Sequence, residues 1–308
     1  MSDSKLRPYA LALAAAGLFG ASFPLSKLLL REIGPVGLAG LLYLGSGLGV
    51  GALRLLIRKP IERGEATLKK ADWGWLAGVV LSGGVAGPIL LLLGLARTSA
   101  HVSALLANTE TLFTMALAVA FFGDFLVRRE ALGAAVIFIG ATIVAWAGAG
   151  QGGAMSWGLD NNFSQRISAK DPLQIAALKG IGAGLANLLL AGWTEGLPRP
   201  GPSVLGSAMA VGFVCYGLSV VLFLTGLRHL GAARTSALFA VAPGIAIALS
   251  WMILGEVPGA WTAAGASLML PGAWLLIRVD HSHLHVHEPI EHEHRHVHDE
   301  HHHHAHEG

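Results

Sequence analysis

The chain has 308 residues, of which 53% are hydrophobic and 13% charged, with 41 glycines and a net charge of +2. So much apolar surface cannot be buried in one soluble core, so the composition excludes an ordinary soluble protein and indicates an integral membrane protein. The basic residues are spread between apolar segments rather than massed, which gives a nucleic-acid partner no support. Because Cys215 is the single cysteine, an intrachain disulfide is excluded.

Apolar segments of transmembrane length follow one another along the chain, and each can cross a hydrocarbon layer about 30 Å thick as a helix. The predicted spans are 9–30, 36–57, 73–95, 100–122, 130–148, 152–168, 173–193, 204–226, 232–254 and 258–278. A cleaved signal peptide is the competing interpretation of the first span, but its apolar run continues to Leu30, which favours an uncleaved helix. The sequence therefore predicts an all-α integral membrane protein with ten transmembrane helices.

The distribution of basic residues predicts the orientation. With a cytoplasmic N-terminus and ten crossings, 17 lysines and arginines fall on the cytoplasmic side and 4 on the outer side, as the positive-inside rule requires. The sixth span is short and polar, but without it as a crossing this bias disappears. We therefore expect a multi-pass protein of the cytoplasmic (inner) membrane with both termini in the cytoplasm.

An internal repeat relates the two halves of the chain at one constant offset. The segment that starts at Gly94 aligns without a gap to the segment that starts at Gly226. Each half then holds five crossings, so the second half inserts upside down relative to the first. Inverted repeats of this kind are typical of transporters that open a central site alternately to each side. The two predicted repeats cover 1–148 and 149–279.

Ionisable side chains near the middle of the spans are the main candidate site residues, because such a group is costly in hydrocarbon and normally faces a cavity or a partner. Glu110 lies ten residues into the fourth span, where it could bind a proton or a substrate amine. Asp160, followed by Asn161 and Asn162, makes the sixth span polar at a similar depth. Lys179 in the seventh span falls at the height of Asp160, which predicts an ion pair. That pair is either a fixed structural salt bridge or part of the substrate pathway.

Lys27 is a further ionisable residue, about one helical turn from the outer end of the first span. Its amine can extend toward the interface, so snorkelling is the default interpretation and a place in an outer vestibule is the alternative. Prolines inside the spans predict helix bends, which in membrane proteins of this class also serve as gates. They are Pro24, Pro88, Pro243 and Pro271.

The segment 280–308 differs from the rest, since it holds 13 of the 15 histidines, interleaved with acidic residues. It cannot bury a core, so a disordered tail is predicted. The alternating His-x-His pattern, which distinguishes it from an affinity tag, suits capture of zinc, nickel, cobalt or copper. Metal sensing or buffering and a pH-responsive tail are both open. The predicted metal ligands are His281, His283, His285, His287, His292, His294, His296, His298, His301, His302, His303, His304 and His306.

Several motifs of the chain resemble those of a known family. They are FGASFPLSK in the first span, the pair TSAHVSALL…ETLFTMALAVAFFGD and ARTSALFAVAPGIAIALSWMILGE, and SWGLDNNFSQRISAKDP at the start of the second half. They look like the EamA-type transporters of the drug/metabolite transporter superfamily, over about residues 9–278. The resemblance implies a ten-helix inner-membrane carrier with two inverted five-helix repeats, which frequently exports amino acids or other small metabolites. Thr111 stands where the second copy has Pro243 and where the family often has proline.

The function predicted from these features is export of small, amino-acid-like metabolites by alternating access, with no cofactor required. The alternative, raised by the tail, is a divalent-metal transporter or a metal-regulated carrier. A metal carrier is expected to group several His, Asp or Cys ligands in its spans, and this sequence has isolated carboxylates there. An enzyme is not expected, since no catalytic grouping or phosphate-cradling loop can be assembled. The expected partners are a small solute, the lipid bilayer and divalent ions, and a homodimer is left open.

Overall fold

The structure, a computed structural model, describes residues 3–57, 68–122, 128–146, 156, 158–160, 163–164, 167, 170–226, 238–239 and 241–277. These residues form helices joined by short connections, and the secondary structure of this part of the chain includes no strand. The predictions for Asn161, for Asn162 and for the histidine-rich tail, with its metal ligands and its disorder, lie outside the described residues.

The described helices are named here in chain order. They are α1 (Asp3–Leu29), α2 (Pro35–Ile57), α3 (Lys70–Arg97), α4 (Ala100–Ala107), α5 (Glu110–Phe122), α6 (Arg128–Trp146), α7 (Pro172–Thr194), α8 (Pro202–Gly226), α9 (Ala242–Leu254) and α10 (Ala260–Ile277). Five of them, α1, α2, α3, α7 and α8, are long and apolar enough to cross a membrane. These five coincide with predicted spans to within a few residues, while α6 and α9 hold shorter apolar stretches.

The apolar side chains divide between an interior cluster and an outer surface. The largest buried cluster includes Leu38, Leu42 and Leu92, which are fully buried. On the outside, Trp193 is 87% exposed and Met252 is 75% exposed. Large apolar side chains at such exposure suit a surface that faces lipid rather than water.

The fourth predicted span, 100–122, is not one continuous helix. α4 ends at Ala107 and α5 begins at Glu110. Between them Thr109 donates to the carbonyl of Leu106 with both its backbone N–H, at 3.0 Å, and its hydroxyl, at 2.6 Å. Such local bonds from a threonine compete with the helical hydrogen bonds, so the span is interrupted here.

The two halves repeat the same elements at the offset that places Gly94 on Gly226. α5 and α9 each have 13 residues, and their first residues are separated by this offset, as are those of α6 and α10. Two π-helical turns, Val80–Ala86 in α3 and Gly212–Leu218 in α8, are related by it as well. α2 and α7 also have 23 residues each, but their first residues, Pro35 and Pro172, are separated by a larger offset. The reason is that the connection from α2 to α3 is longer than the connection from α7 to α8. The register predicted from the sequence therefore reappears in the element boundaries.

Two pairs of equivalent helices, α2 with α7 and α6 with α10, pack against each other in antiparallel fashion. Gly47 of α2 lies against Gly180 of α7, whereas Leu44 of α2 lies against Gly184. Residue numbers thus rise along one helix as they fall along the other, and the same pattern relates α6 to α10. The glycines allow the two backbones to approach closely. Equivalent helices that run in opposite directions are the arrangement expected of inverted repeats.

Charged residues connect α2 and α7 at both ends of the pair. Asp171 caps the first turn of α7, and its Oδ2 lies 2.8 Å from Nε of Arg54 on α2. At the other end Glu195, which follows α7, accepts from the backbone N–H groups of Val36 and Gly37, both at 3.1 Å. A carboxylate at a helix N-terminus satisfies free donors and complements the helix dipole. The residue that follows α7 therefore caps α2, and an arginine of α2 pairs with the residue that caps α7.

Candidate transport site

The ion pair predicted between the sixth and seventh spans is present. Nζ of Lys179 on α7 lies 2.6 Å from Oδ2 of Asp160, and the two side chains are 14% and 12% exposed. Asp160 also lies against Gly83 in the π-helical turn of α3, so closely that a Cβ at position 83 would overlap the carboxylate. The fit of the ion pair therefore depends on a glycine in the neighbouring helix.

The π-helical turn beside Asp160 is closely followed by a proline, Pro88. Pro88 has no N–H to donate to the carbonyl of Gly84 four residues earlier, so the regular helical bond cannot form there. Asn187 of α7 donates its side-chain amide to that carbonyl at 2.9 Å. The hydroxyl of Tyr43 on α2 donates to the carbonyl of Gly83 at 2.6 Å. Two side chains from the α2–α7 pair thus satisfy the carbonyls that the turn leaves available.

Glu110 completes a group of three ionisable residues. It is the first residue of α5, directly after the interruption of the fourth span. It lies close enough to Asp160 and Lys179 for electrostatic interaction with both. The structure therefore brings together the three charged residues that the sequence placed near the middle of separate spans.

A narrow cavity reaches Glu110 from the side of α1 and α9. Its wall includes Phe19, Phe23, Asn108, Glu110, Phe239 and Pro243, so both repeats contribute to it. Its volume of about 20 Å³ is close to the room that one water molecule needs. A metabolite is much larger, so the helices must move apart before one can bind there.

A comparison with known proteins assigns the chain to a family. The sequence profile described as "EamA-like transporter family" matches residues 6–146 and again residues 145–278. This chain belongs to the EamA-like transporter family. The double match confirms the family resemblance that the motifs indicated, and it covers both halves of the transporter.

Two individual proteins are similar to this EamA-like transporter. One, described as an uncharacterized transporter of Methanothermobacter thermautotrophicus (strain Delta H), is 27% identical over 299 residues, which cover 88% of this chain and 86% of that protein. The other is a solved structure titled only "Crystal structure of protein", with a TM-score of 0.64 and 17% sequence identity. It covers 88% of this chain and 98% of its own chain, and it supports the fold alone.

Lys27 of the transporter binds the end of a neighbouring helix. Its Nζ donates to the backbone carbonyls of Leu95 at 2.5 Å, Thr98 at 2.7 Å and Ala96 at 3.3 Å. Leu95 and Ala96 belong to the last turn of α3 and Thr98 follows its end, where a cation satisfies acceptors that the helix leaves open. Lys27 therefore joins α1 to α3 in this structure.

The four prolines occupy two kinds of position. Pro88 and Pro243 stand at the second residue of the helical segments Gly87–Arg97 and Ala242–Leu254. Pro243 lies in the first turn of α9, where the missing N–H costs no helical bond, whereas Pro88 lies inside α3 and removes the bond to the carbonyl of Gly84. α1 continues as an assigned helix through Pro24, and α10 continues through Pro271. Pro88 and Pro243 thus mark changes of helical geometry.

Glu256 is a helix-capping residue that the sequence did not single out. Its Oε2 accepts from the backbone N–H of Ala100 at 2.7 Å and lies 3.2 Å from Nδ1 of His101. It therefore caps the first turn of α4, the helix that leads to Glu110, from the connection between α9 and α10. The alignment of Asp124 with Glu256 in the repeat was the available signal, because it places an acid at the same end of both copies.

No metal centre is evident in the described part of the chain. Within it, no group of three or more His, Cys, Asp and Glu side chains could hold a metal ion. Glu110 and Asp160 supply only two carboxylates, and the nearby Lys179 is already paired with Asp160. The charged group therefore gives the divalent-metal alternative no support.

Proposed function

We propose that this EamA-like transporter is an alternating-access carrier of small metabolites with Glu110 as its coupling site. The observation that carries the proposal is the cavity at Glu110, whose wall combines α1, α4 and α5 of the first repeat with Phe239 and α9 of the second. A site between two repeats opens to one side or the other when one repeat rocks against its partner. In this proposal ten crossings place both termini in the cytoplasm, in the cytoplasmic membrane.

Charge balance explains why Glu110 suits the coupling role. The Asp160–Lys179 pair is neutral as a unit, so the group of three carries one negative charge when Glu110 is ionised and none when it is protonated. A net charge inside hydrocarbon is costly, so binding of either a proton or a cationic solute removes that cost. Alternate binding of the two at Glu110 couples export of solute to entry of protons.

The Asp160–Lys179 pair has a supporting part in this proposal. It lies between α3 and α7 and fixes a positive group near Glu110 without leaving an unpaired charge. Lys179 lowers the electrostatic cost of ionised Glu110, and Asp160 keeps the lysine from neutralising it completely. The pair therefore sets the balance between the two protonation states of Glu110.

Flux through proteoliposomes tests the proposal. Vesicles that contain the full chain are loaded with amino acids and small amines, and a proton gradient is imposed across the membrane. We expect gradient-driven solute movement that Glu110→Gln abolishes, because glutamine cannot exchange a proton. The matched control is Glu32→Gln, a carboxylate on an exposed residue between α1 and α2, which should retain flux.

Two results contradict the proposal. The first is a folded protein that moves no solute from a metabolite mixture under either gradient direction. The second is gradient-driven flux that Glu110→Gln and Glu32→Gln leave equally intact. Metabolite profiling of the medium from overexpressing and deletion strains identifies the solute and the direction of transport in the cell.

A further inference from the structure

The cavity at Glu110 lies between unlike surfaces that come from equivalent positions of the two repeats. Glu110, the first residue of α5, corresponds to Ala242, the first residue of α9, and both line the cavity. Lys179 on α7 corresponds to Leu42 on α2 when the first residues of those two helices are aligned. Glu110 and Lys179 therefore have apolar residues at the equivalent positions of the other repeat, and of these two charged residues Glu110 lines the cavity.

The wall of the cavity also contains aromatic side chains. Phe239 stands where the first repeat has Ala107, and its ring centroid lies 5.3 Å from that of Phe19. The centroid of Phe19 is 5.6 Å from that of Phe23, and the two rings meet edge to face. All three phenylalanines line the cavity together with Glu110. Rings at such separations attract one another, and their faces attract cations and further aromatic rings.

We propose that the cavity binds a small amine that carries an aromatic body, with the ammonium group toward Glu110 and the ring against Phe19 and Phe239. This inference rests on the proposed function and specifies the class of its solute. A carboxylate complements the ammonium charge, and phenyl rings bury the apolar body while they tolerate a nearby cation. An amphipathic ligand thus matches both surfaces in one orientation.

The composition of the cavity wall disfavours an anionic solute. The residues that line the cavity include one carboxylate and no lysine, arginine or histidine among those the structure describes. An anionic solute would meet both the charge of Glu110 and the negative faces of the rings. An uncharged solute would leave the net negative charge of the three ionisable residues in place as the site closes around it.

Room for such a ligand arises where the helices are already interrupted. Asn108, at the junction of α4 and α5, and Pro243, at the start of α9, stand in the cavity wall. Movement at these two junctions separates Phe239 from Phe19 and enlarges the cavity without unfolding a continuous helix. Discontinuous helices line the binding sites of many carriers for the same reason.

Four small ligands separate the contribution of the ammonium charge to binding from that of the aromatic ring. Binding to the purified full-length protein is measured by titration calorimetry with 2-phenylethylamine, 2-phenylethanol, 3-phenylpropionate and n-propylamine, and transport currents are recorded from proteoliposomes. We expect 2-phenylethylamine to bind at least about tenfold more tightly than each of the other three, because only it has both the charge and the ring.

Variants of the aromatic wall test the ring contact. We expect Phe239→Leu to weaken 2-phenylethylamine binding about three- to tenfold and to leave n-propylamine binding unchanged, since only the former places a ring there. Phe239→Tyr should retain the tighter binding and so controls for misfolding. The matched control is Phe138→Leu, on a side chain of α6 that is 65% exposed, which should change neither ligand.

Failure of this inference is distinct from failure of the carrier proposal. Tighter binding of 3-phenylpropionate or 2-phenylethanol than of 2-phenylethylamine, with Glu110-dependent flux intact, overturns the amine assignment alone. Equal weakening of both amines by Phe239→Leu overturns the ring contact. Absence of any Glu110-dependent flux removes the carrier proposal as well.

Discussion

The π-helical turns of α3 and α8 have the same place in the two repeats but different supports. In α3 the turn precedes Pro88, and the side chains of Tyr43 and Asn187 donate to its carbonyls. In α8 the position of Pro88 is held by Val220, so the backbone donor is retained. The counterparts of the two donors are Gly180 and Val50, which have no side-chain donor.

This comparison shows that the backbone of the transporter repeats more faithfully than its chemistry. The same deformation recurs at the equivalent place in the second half, and so do the helix boundaries around Glu110 and Ala242. A repeated backbone gives the two halves matching ways to move. Among the described residues, Glu110, Asp160 and Lys179 correspond to Ala242, Leu28 and Leu42, so the charged group is present at one of the two equivalent places.

The largest effect is expected when Lys179 is replaced by an apolar residue, as at the equivalent position of the first repeat. Lys179→Met leaves Asp160 as an uncompensated, largely buried charge, so we expect a loss of about 3 to 5 kcal/mol in the free energy of unfolding. Thermal unfolding in detergent, followed by tryptophan fluorescence, measures it. The double variant Asp160→Asn with Lys179→Met should recover most of the loss, and a double variant as unstable as Lys179→Met alone would contradict the pairing argument.

A smaller effect is expected at the contact between α3 and the ion pair. Gly83→Ala places a methyl group into the Asp160 carboxylate, whereas the counterpart of Gly83 in the second repeat, Cys215, carries a side chain. We expect a loss of about 1 to 3 kcal/mol from overpacking. Gly206→Ala on α8, where a Cβ meets no atom within 4 Å, is the matched control. Its stability should stay the same or rise, because alanine favours helix.

The length of apolar segments and one ungapped alignment were enough to predict much of this fold. α2, α3, α7 and α8 were predictable because each is a long apolar run, and the alignment of Gly94 with Gly226 located both halves of the repeat. The Asp160–Lys179 contact was predictable because helical rise fixes the depth of each residue in its span. The interruption before Glu110 was not, since Asn108 and Thr109 stand in an apolar run without a proline.

The aromatic residues of the cavity wall could not be predicted from the sequence, for a different reason. Phe19 and Phe239 are separated by most of the chain, and their contact depends on how α1 packs against the start of α9. The donors Tyr43 and Asn187 were missed likewise, although Pro88 gave a local signal. A proline inside a span frees the carbonyl four residues before it, and a polar residue on a neighbouring helix is then the expected partner.

The smallest effect is expected when a side chain that donates to the π-helical turn of α3 is replaced by the residue at the equivalent position beside the turn of α8. Asn187→Val installs the residue found at the equivalent position in α2 and leaves the carbonyl of Gly84 without its side-chain donor. We expect a loss of about 1 to 2 kcal/mol, since Asn187 is fully buried and a buried acceptor without a donor carries a desolvation cost. Thr194→Val is the matched control, because its exposed hydroxyl donates only within its own helix. Equal stability of the two variants would mean that the turn in α3 keeps its shape without the Asn187 amide, as the turn in α8 does with Val50 at the equivalent position. The side-chain hydrogen bond would then add little to the stability of the first turn.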